Sequence, residues 1–163
     1  MAKVLANMLK LILPTIISST QSAYVPGRLI ADNVILAFEA LHSMQSKMKG
    51  SKGYMSLKLD MSKAYDRLEW SFIELVMERM SFNRKWIDII LNCVKTISYS
   101  LLINGIPQPG FTPSRGIRQG DPESPYLFII CSKALTQILN KAEEAKLITG
   151  LPMARGKLHT SHL

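Results

Sequence analysis

Residues 57–66 read LKLDMSKAYD, and the alternation extends backwards to Tyr54. Tyr54, Ser56, Lys58 and Asp60 fall on one side, with Met55, Leu57, Leu59 and Met61 on the other, the period-two pattern of a half-buried strand. A strand that ends at Asp60 projects that carboxylate from a rigid edge. Buried without a partner the charge would be costly. A hard divalent cation is the obvious partner, because Mg²⁺ takes carboxylate oxygens and leaves coordination positions for phosphates. Spacing alone does not decide for the metal. Asp66, beside Arg67, serves equally well as a helix cap or half of a surface ion pair.

Outward from this stretch the pattern is mainly helical. Lys3, Val4, Leu5, Met8, Leu9, Leu11 and Ile12 make an amphipathic helix; Asn7 and Lys10 interrupt its apolar side and no A-x-A site follows, unlike a signal peptide. From Asp32, read as a cap, Val34, Phe38, Leu41, Met44 and Met48 recur at helical spacing. After Asp60, Ser71 and Glu74 have the spacing of a capping box ahead of Leu75, Val76 and Met80. Asn83 is placed to cap the next helix, which carries Trp86, Ile87, Ile90, Leu91 and Val94. Tyr99 to Ile103, the Asn104-Gly105 pair and the segment through Phe111 predict a short hairpin, weakened in its second arm by Pro107 and Pro109. Asp121 and Pro122 then stand as N-cap and first residue of a helix running to about Ala145.

The second stretch with chemical promise is SRGIRQGDPESPYLF, residues 114–128. Its glycines let backbone approach a ligand closely, and Arg115, Arg118 and a helix N-terminus favour phosphate. An ordinary loop with a turn glycine reads the same way.

The chain has 163 residues, enough for one domain with a sizeable core, and 20 Lys+Arg against 12 Asp+Glu give a net charge of +8. A hydrophobic share of 47% and a charged share of 20% exclude disordered, collagenous and coiled-coil classes. No stretch approaches the ~18 unbroken apolar residues of a membrane span. Cys93 and Cys131 are two lone thiols in apolar helical patterns, neither a disulfide framework nor a zinc site, which suits a reducing intracellular compartment, nucleus or cytoplasm. The basic excess is concentrated before Asp60, where Lys47, Lys49 and Lys52 alternate with Gly50 and Gly53. Such a loop can meet phosphates, but on charge alone a solvated surface loop is the better reading. His42 lies on a helix, and His159 and His162 in what reads as a frayed tail.

Taken together, residues 3–44, 53–70 and 97–130 and the terminal SHL resemble the reverse transcriptases of plant non-LTR (LINE-type) retrotransposons. LKLDMSKAYD is similar to their A motif and RGIRQGDPESP to their B motif. The resemblance implies an α+β fold: a partial right-hand polymerase of fingers and palm, helix-rich with a small antiparallel sheet. It implies an RNA-directed DNA polymerase, a nucleotidyltransferase using Mg²⁺, an RNA template, a DNA primer and dNTPs. By the same resemblance Asp60 is the first metal-binding catalytic aspartate. Tyr65 is the aromatic residue under the incoming sugar, although a plain core tyrosine fits its spacing equally well. Gln119 and Gly120, with Ser124 and Pro125, line the nucleotide pocket and meet the template. Arg115 and Arg118 are backbone-phosphate contacts, and Gln21, Tyr24, Gly27 and Arg28 belong to the template-placing fingers block.

The sequence also departs from that family. Residues 1–163 are expected to be a partial domain, starting after the first fingers segment and lacking the palm hairpin with adjacent aspartates and the thumb. No Asp-Asp pair occurs, and Glu143-Glu144 sits late in a helix. One aspartate does not hold two magnesium ions. Glu123 stands where relatives carry leucine and Met8 where they commonly carry arginine. The expectation is a domain inactive alone, or a non-catalytic remnant that binds nucleic acid.

Overall fold

In the computed structural model, residues 1–18, 20–47, 53–153 and 158–160 are described. The elements are α1 (Ala2–Ile16), α2 (Ile30–Lys47), α3 (Trp70–Arg79), α4 (Arg84–Lys95), β1 (Leu102–Ile103), β2 (Ile106–Pro107), α5 (Ser124–Glu144), β3 (Leu151–Met153) and β4 (Leu158–Thr160). This is a helix-rich α+β arrangement with two small antiparallel hairpins. The chain divides into two compact units, residues 1–11 with 61–131, and residues 12–60 with 132–163.

The first unit is organised by α3 and α4. Ile73, Val76 and Met77 of α3 and Ile87, Ile90, Leu91 and Val94 of α4 are buried, as one apolar stripe on each helix requires. Asn83 caps α4 as expected, its side chain accepting from the Lys85 N–H at 2.9 Å. Arg84 joins the two helices, reaching Glu74 (2.7 Å), Glu78 (2.6 Å) and Asp88 (2.9 Å). The capping box expected from Ser71 and Glu74 does not form. Helix α3 starts at Trp70, so Ser71 is already inside it; the N-cap is Glu69, whose side chain makes no capping bond, and Glu74 goes to Arg84.

The Asn104-Gly105 turn forms as expected. Both residues take positive φ, 52° and 80°, and pair Leu102 with Pro107 and Ile103 with Ile106. A Tyr99–Phe111 bridge extends this ladder, with the two rings stacked 5.7 Å apart. Helix α5 begins later than expected, at Ser124, while the Asp121 side chain accepts the Glu123 N–H at 3.4 Å ahead of it. In this unit α5 buries Leu127, Ile129, Ile130 and Cys131.

In the second unit, two side chains close the loop between α1 and α2. Arg28 Nη1 donates to the carbonyls of Ser18 (2.5 Å) and Gln21 (2.6 Å). Asn33 donates to the Thr20 carbonyl at 2.8 Å and accepts from the Ser22 hydroxyl at 2.9 Å. Helix α2 spans the expected region, starting two residues before Asp32. Its apolar stripe is open, however: Val34, Phe38 and Leu41 are exposed. A second hairpin, unforeseen in the sequence, pairs Leu151 with Thr160 and Pro152 with His159, so His159 belongs to a strand and not to a frayed tail.

The strand expected over Tyr54 to Met61 is absent. Residues 53–60 have no strand pairing and are exposed, with Met55 86%, Leu57 70% and Leu59 64% accessible. Alternation makes a segment competent for a sheet, but a strand exists only when a neighbour takes its N–H and C=O groups. Among the described residues no helix is long and apolar enough to cross a membrane. Lys49 and Lys52, His162 and the side chain of Lys47 lie outside what is described.

Candidate nucleotide and template site

The site is built on the seam between residues 65–70 and 115–117, all in the first unit. The Gly116 N–H donates to the Leu68 carbonyl at 2.8 Å and the Ile117 N–H to the Tyr65 carbonyl at 3.0 Å. The Trp70 indole N–H donates to the Gly116 carbonyl at 2.7 Å. Gly116 holds φ +90°, and a Cβ there would lie 3.0 Å from the Asp66 carbonyl oxygen, so the two backbones touch as only glycine permits. Ile117 is buried as the anchor of the loop. From it Arg118, Gln119 and Gly120 emerge exposed.

The half-buried Tyr65 packs its ring on Phe128 of α5, centroids 5.1 Å apart. Arg115 is exposed and pairs with Glu69 at 3.2 Å. The seam thus gathers Tyr65, Arg115, Arg118, Gln119 and Gly120 from stretches about fifty residues apart. Ser124 is only 2% exposed, so its hydroxyl lies in the interior. Asp60 and Arg28 belong to the second unit. Asp60 is exposed, and Arg28 turns its Nη1 to the loop carbonyls described above.

Glu123 is not a surface carboxylate at the mouth of a pocket. It is 2% exposed and its Oε2 has no hydrogen-bond partner among the described residues. Burial raises its pKa from the ordinary 4.5 to about 7, Asp121 adds to the rise, and the N-terminal amine opposes it. Burial likewise pushes the Cys131 thiol up to about 12 and raises Cys93, which also feels Glu123. Neither thiol is activated as a nucleophile.

The profile of the reverse transcriptase (RNA-dependent DNA polymerase) family matches residues 1–152. The chain belongs to that family. Among relatives of this reverse transcriptase domain, an uncharacterized mitochondrial protein of Arabidopsis thaliana is 45% identical over 62 residues, covering 38% of this chain and 51% of the relative. The transposon TX1 149 kDa protein of Xenopus laevis is 29% identical over 140 residues, 86% of this chain and 10% of the relative. The polyprotein of the type-2 retrotransposable element R2DM of Drosophila melanogaster is 29% identical over 149 residues, 88% and 14% respectively. The chain therefore spans about half the length of the plant relative and a small share of the other two.

Magnesium, the metal expected of a reverse transcriptase domain, asks for clustered carboxylate oxygens. All 12 Asp and Glu residues lie among the described residues, yet no three His, Cys, Asp or Glu side chains there stand together as a metal-holding group. The residues present do not fit that ion. Trp70 and the Leu68 carbonyl escaped the sequence reading. The one local signal was the indole N–H itself, a donor that needs an acceptor when the ring is partly buried.

Proposed function

We propose that this reverse transcriptase domain is part of the RNA-directed DNA polymerase of a non-LTR retrotransposon, and that alone it binds template–primer without extending it. The observation that carries the reading is the seam on which Arg118, Gln119 and Gly120 stand: an exposed loop whose buried anchor Ile117 is bonded to the backbone of Tyr65, a residue whose ring packs on Phe128. In this reading Gln119, Gly120 and Tyr65 meet the incoming dNTP, and Arg115 and Arg118 meet backbone phosphate. Such contacts are indifferent to base identity, as copying requires, and base pairing supplies the sequence. Asp60 is the carboxylate at which this reading expects a metal, but no two further acidic side chains stand with it among the described residues, and on that ground the reading withholds catalysis from the isolated domain. A net charge of +8 supports the binding half of the reading.

The test is primer extension on an RNA template with labelled dNTPs and Mg²⁺, run beside equilibrium binding of the same template–primer. Binding that falls steeply with salt, and no incorporation, are expected. Incorporation abolished by Asp60→Asn would overturn the inactivity; salt-independent binding would remove the phosphate argument.

A further inference from the structure

We infer that Trp70 is a positioning residue for the loop at 115–120, setting the conformation in which that loop meets nucleic acid. The inference rests on the function proposed above. Gly116 is held at both its backbone groups, its N–H by the Leu68 carbonyl (2.8 Å) and its C=O by the Trp70 indole (2.7 Å). The first bond, like that from Ile117 to Tyr65, is backbone to backbone and indifferent to side chain. The indole bond is the side chain's own contribution. It spans 46 residues of sequence and ties the loop to the first residue of α3.

Helix α3 is a firm anchor, because Ile73 and Met77 are fully buried and Arg84 joins it to α4. Pinning the Gly116 carbonyl fixes the plane of the peptide that leads into Ile117, and so the direction in which 118–120 leave the buried anchor. The neighbouring Arg115–Glu69 pair is exposed on both sides and adds little hold. The other tryptophan makes no such bond, since Trp86 Nε1 is buried and has no partner among the described residues. Replacing Trp86 by Phe removes no hydrogen bond. It is the matched control for Trp70→Phe.

The experiment uses the full chain and compares wild type, Trp70→Phe and Trp86→Phe. Amide hydrogen exchange is read at Gly116 and Ile117, and affinity for an RNA template–DNA primer by fluorescence anisotropy. Trp70→Phe is expected to speed exchange at both amides about three- to tenfold, the worth of one hydrogen bond, and to weaken template–primer binding by a similar factor. Trp86→Phe should do neither, while its melting temperature moves as much or more. Unchanged exchange in Trp70→Phe, or equal changes in both variants, overturns the inference. Faster exchange with unaltered affinity overturns its link to nucleic acid. A wild type that binds no template–primer sinks the proposed function, and faster exchange in Trp70→Phe would still establish the clamp. Should Trp70→Phe fail to fold, 3-benzothienylalanine at position 70 keeps the ring shape, replaces N–H by sulfur, and gives the same readings.

Discussion

Gly116 lies against Asp66 so closely that a methyl group at its α-carbon would meet the Asp66 carbonyl oxygen at 3.0 Å and its Cα at 3.2 Å. Both obstructing atoms are backbone, and backbone on this seam is held by the bonds from Gly116 to Leu68 and Ile117 to Tyr65. Relief therefore requires the two segments to separate.

Gly116→Ala should accordingly cost about 3 kcal/mol of stability, combining the positive φ with a contact that cannot relax. Gly105 is the comparison: its φ is +80° but a Cβ there meets nothing within 4 Å. Gly105→Ala should cost about 1–2 kcal/mol, the conformational penalty alone. Urea denaturation of the two variants measures the difference, and equal losses would show that the seam is looser than its distances imply.

Glu123 gives the chain a pH dependence of known sign. Its folded pKa, about 7, lies above the ordinary 4.5, so the folded state holds the proton more tightly than the unfolded state. Its contribution is fully present below about pH 4.5 and is lost as pH rises towards 7, a fall of roughly 3 kcal/mol at most. Glu123→Gln should flatten the stability profile over that window, and Glu123→Leu should raise the melting temperature at neutral pH. A wild-type melting temperature that climbs steadily from pH 4.5 to 7, with both variants following it, would contradict the assignment.

What the sequence reveals about this fold depends on how far apart the cooperating residues are. Asn83 and the Asn104-Gly105 turn act within a few residues of themselves, and both behave as read. Ser71 and Glu74 have capping-box spacing, but α3 starts two residues too early for Ser71 to cap it, and spacing does not reveal where a helix begins. The stretch 54–61 has strand alternation without a strand, because pairing is a property of two segments and alternation describes only one. Hairpin β3–β4 went unread for the complementary reason. At the site, Tyr65, Gln119 and the arginines follow from family resemblance, whereas Trp70 acts across 46 residues and leaves no local pattern. Glu123 stood out as a departure, but its burial emerges only once α5 is packed.

Two arginines both expected to meet nucleic acid, Arg28 in the template-placing block and Arg118 at backbone phosphate, should separate cleanly. Arg28 donates to the Ser18 and Gln21 carbonyls, so Arg28→Ala should destabilise the chain by about 1–2 kcal/mol and leave the salt dependence of template–primer binding nearly unchanged. Arg118 is exposed, and Arg118→Ala should weaken binding to all sequences alike, lowering the slope of log affinity against log salt by about 1, with stability within about 0.5 kcal/mol. Thermal melts and salt titrations of both variants decide the matter; a changed salt slope in Arg28→Ala would return that residue to phosphate contact.

The exposed stretch 54–61 should govern solubility. Met55, Leu57 and Leu59 are all more than half accessible, alternate with polar residues, and have no sheet partner. A segment of that kind offers unpaired N–H and C=O groups to another copy of itself, and apolar side chains on one face reward the pairing. Leu57→Lys with Leu59→Lys places two charges on that face. Since neither leucine is buried, unfolding free energy should stay within about 0.5 kcal/mol of wild type, while the rate of aggregation, followed by light scattering at fixed concentration, falls severalfold. A double variant that melts much earlier would mean that these leucines pack against something in solution, and one that aggregates at the wild-type rate would shift the liability to the open apolar stripe of α2.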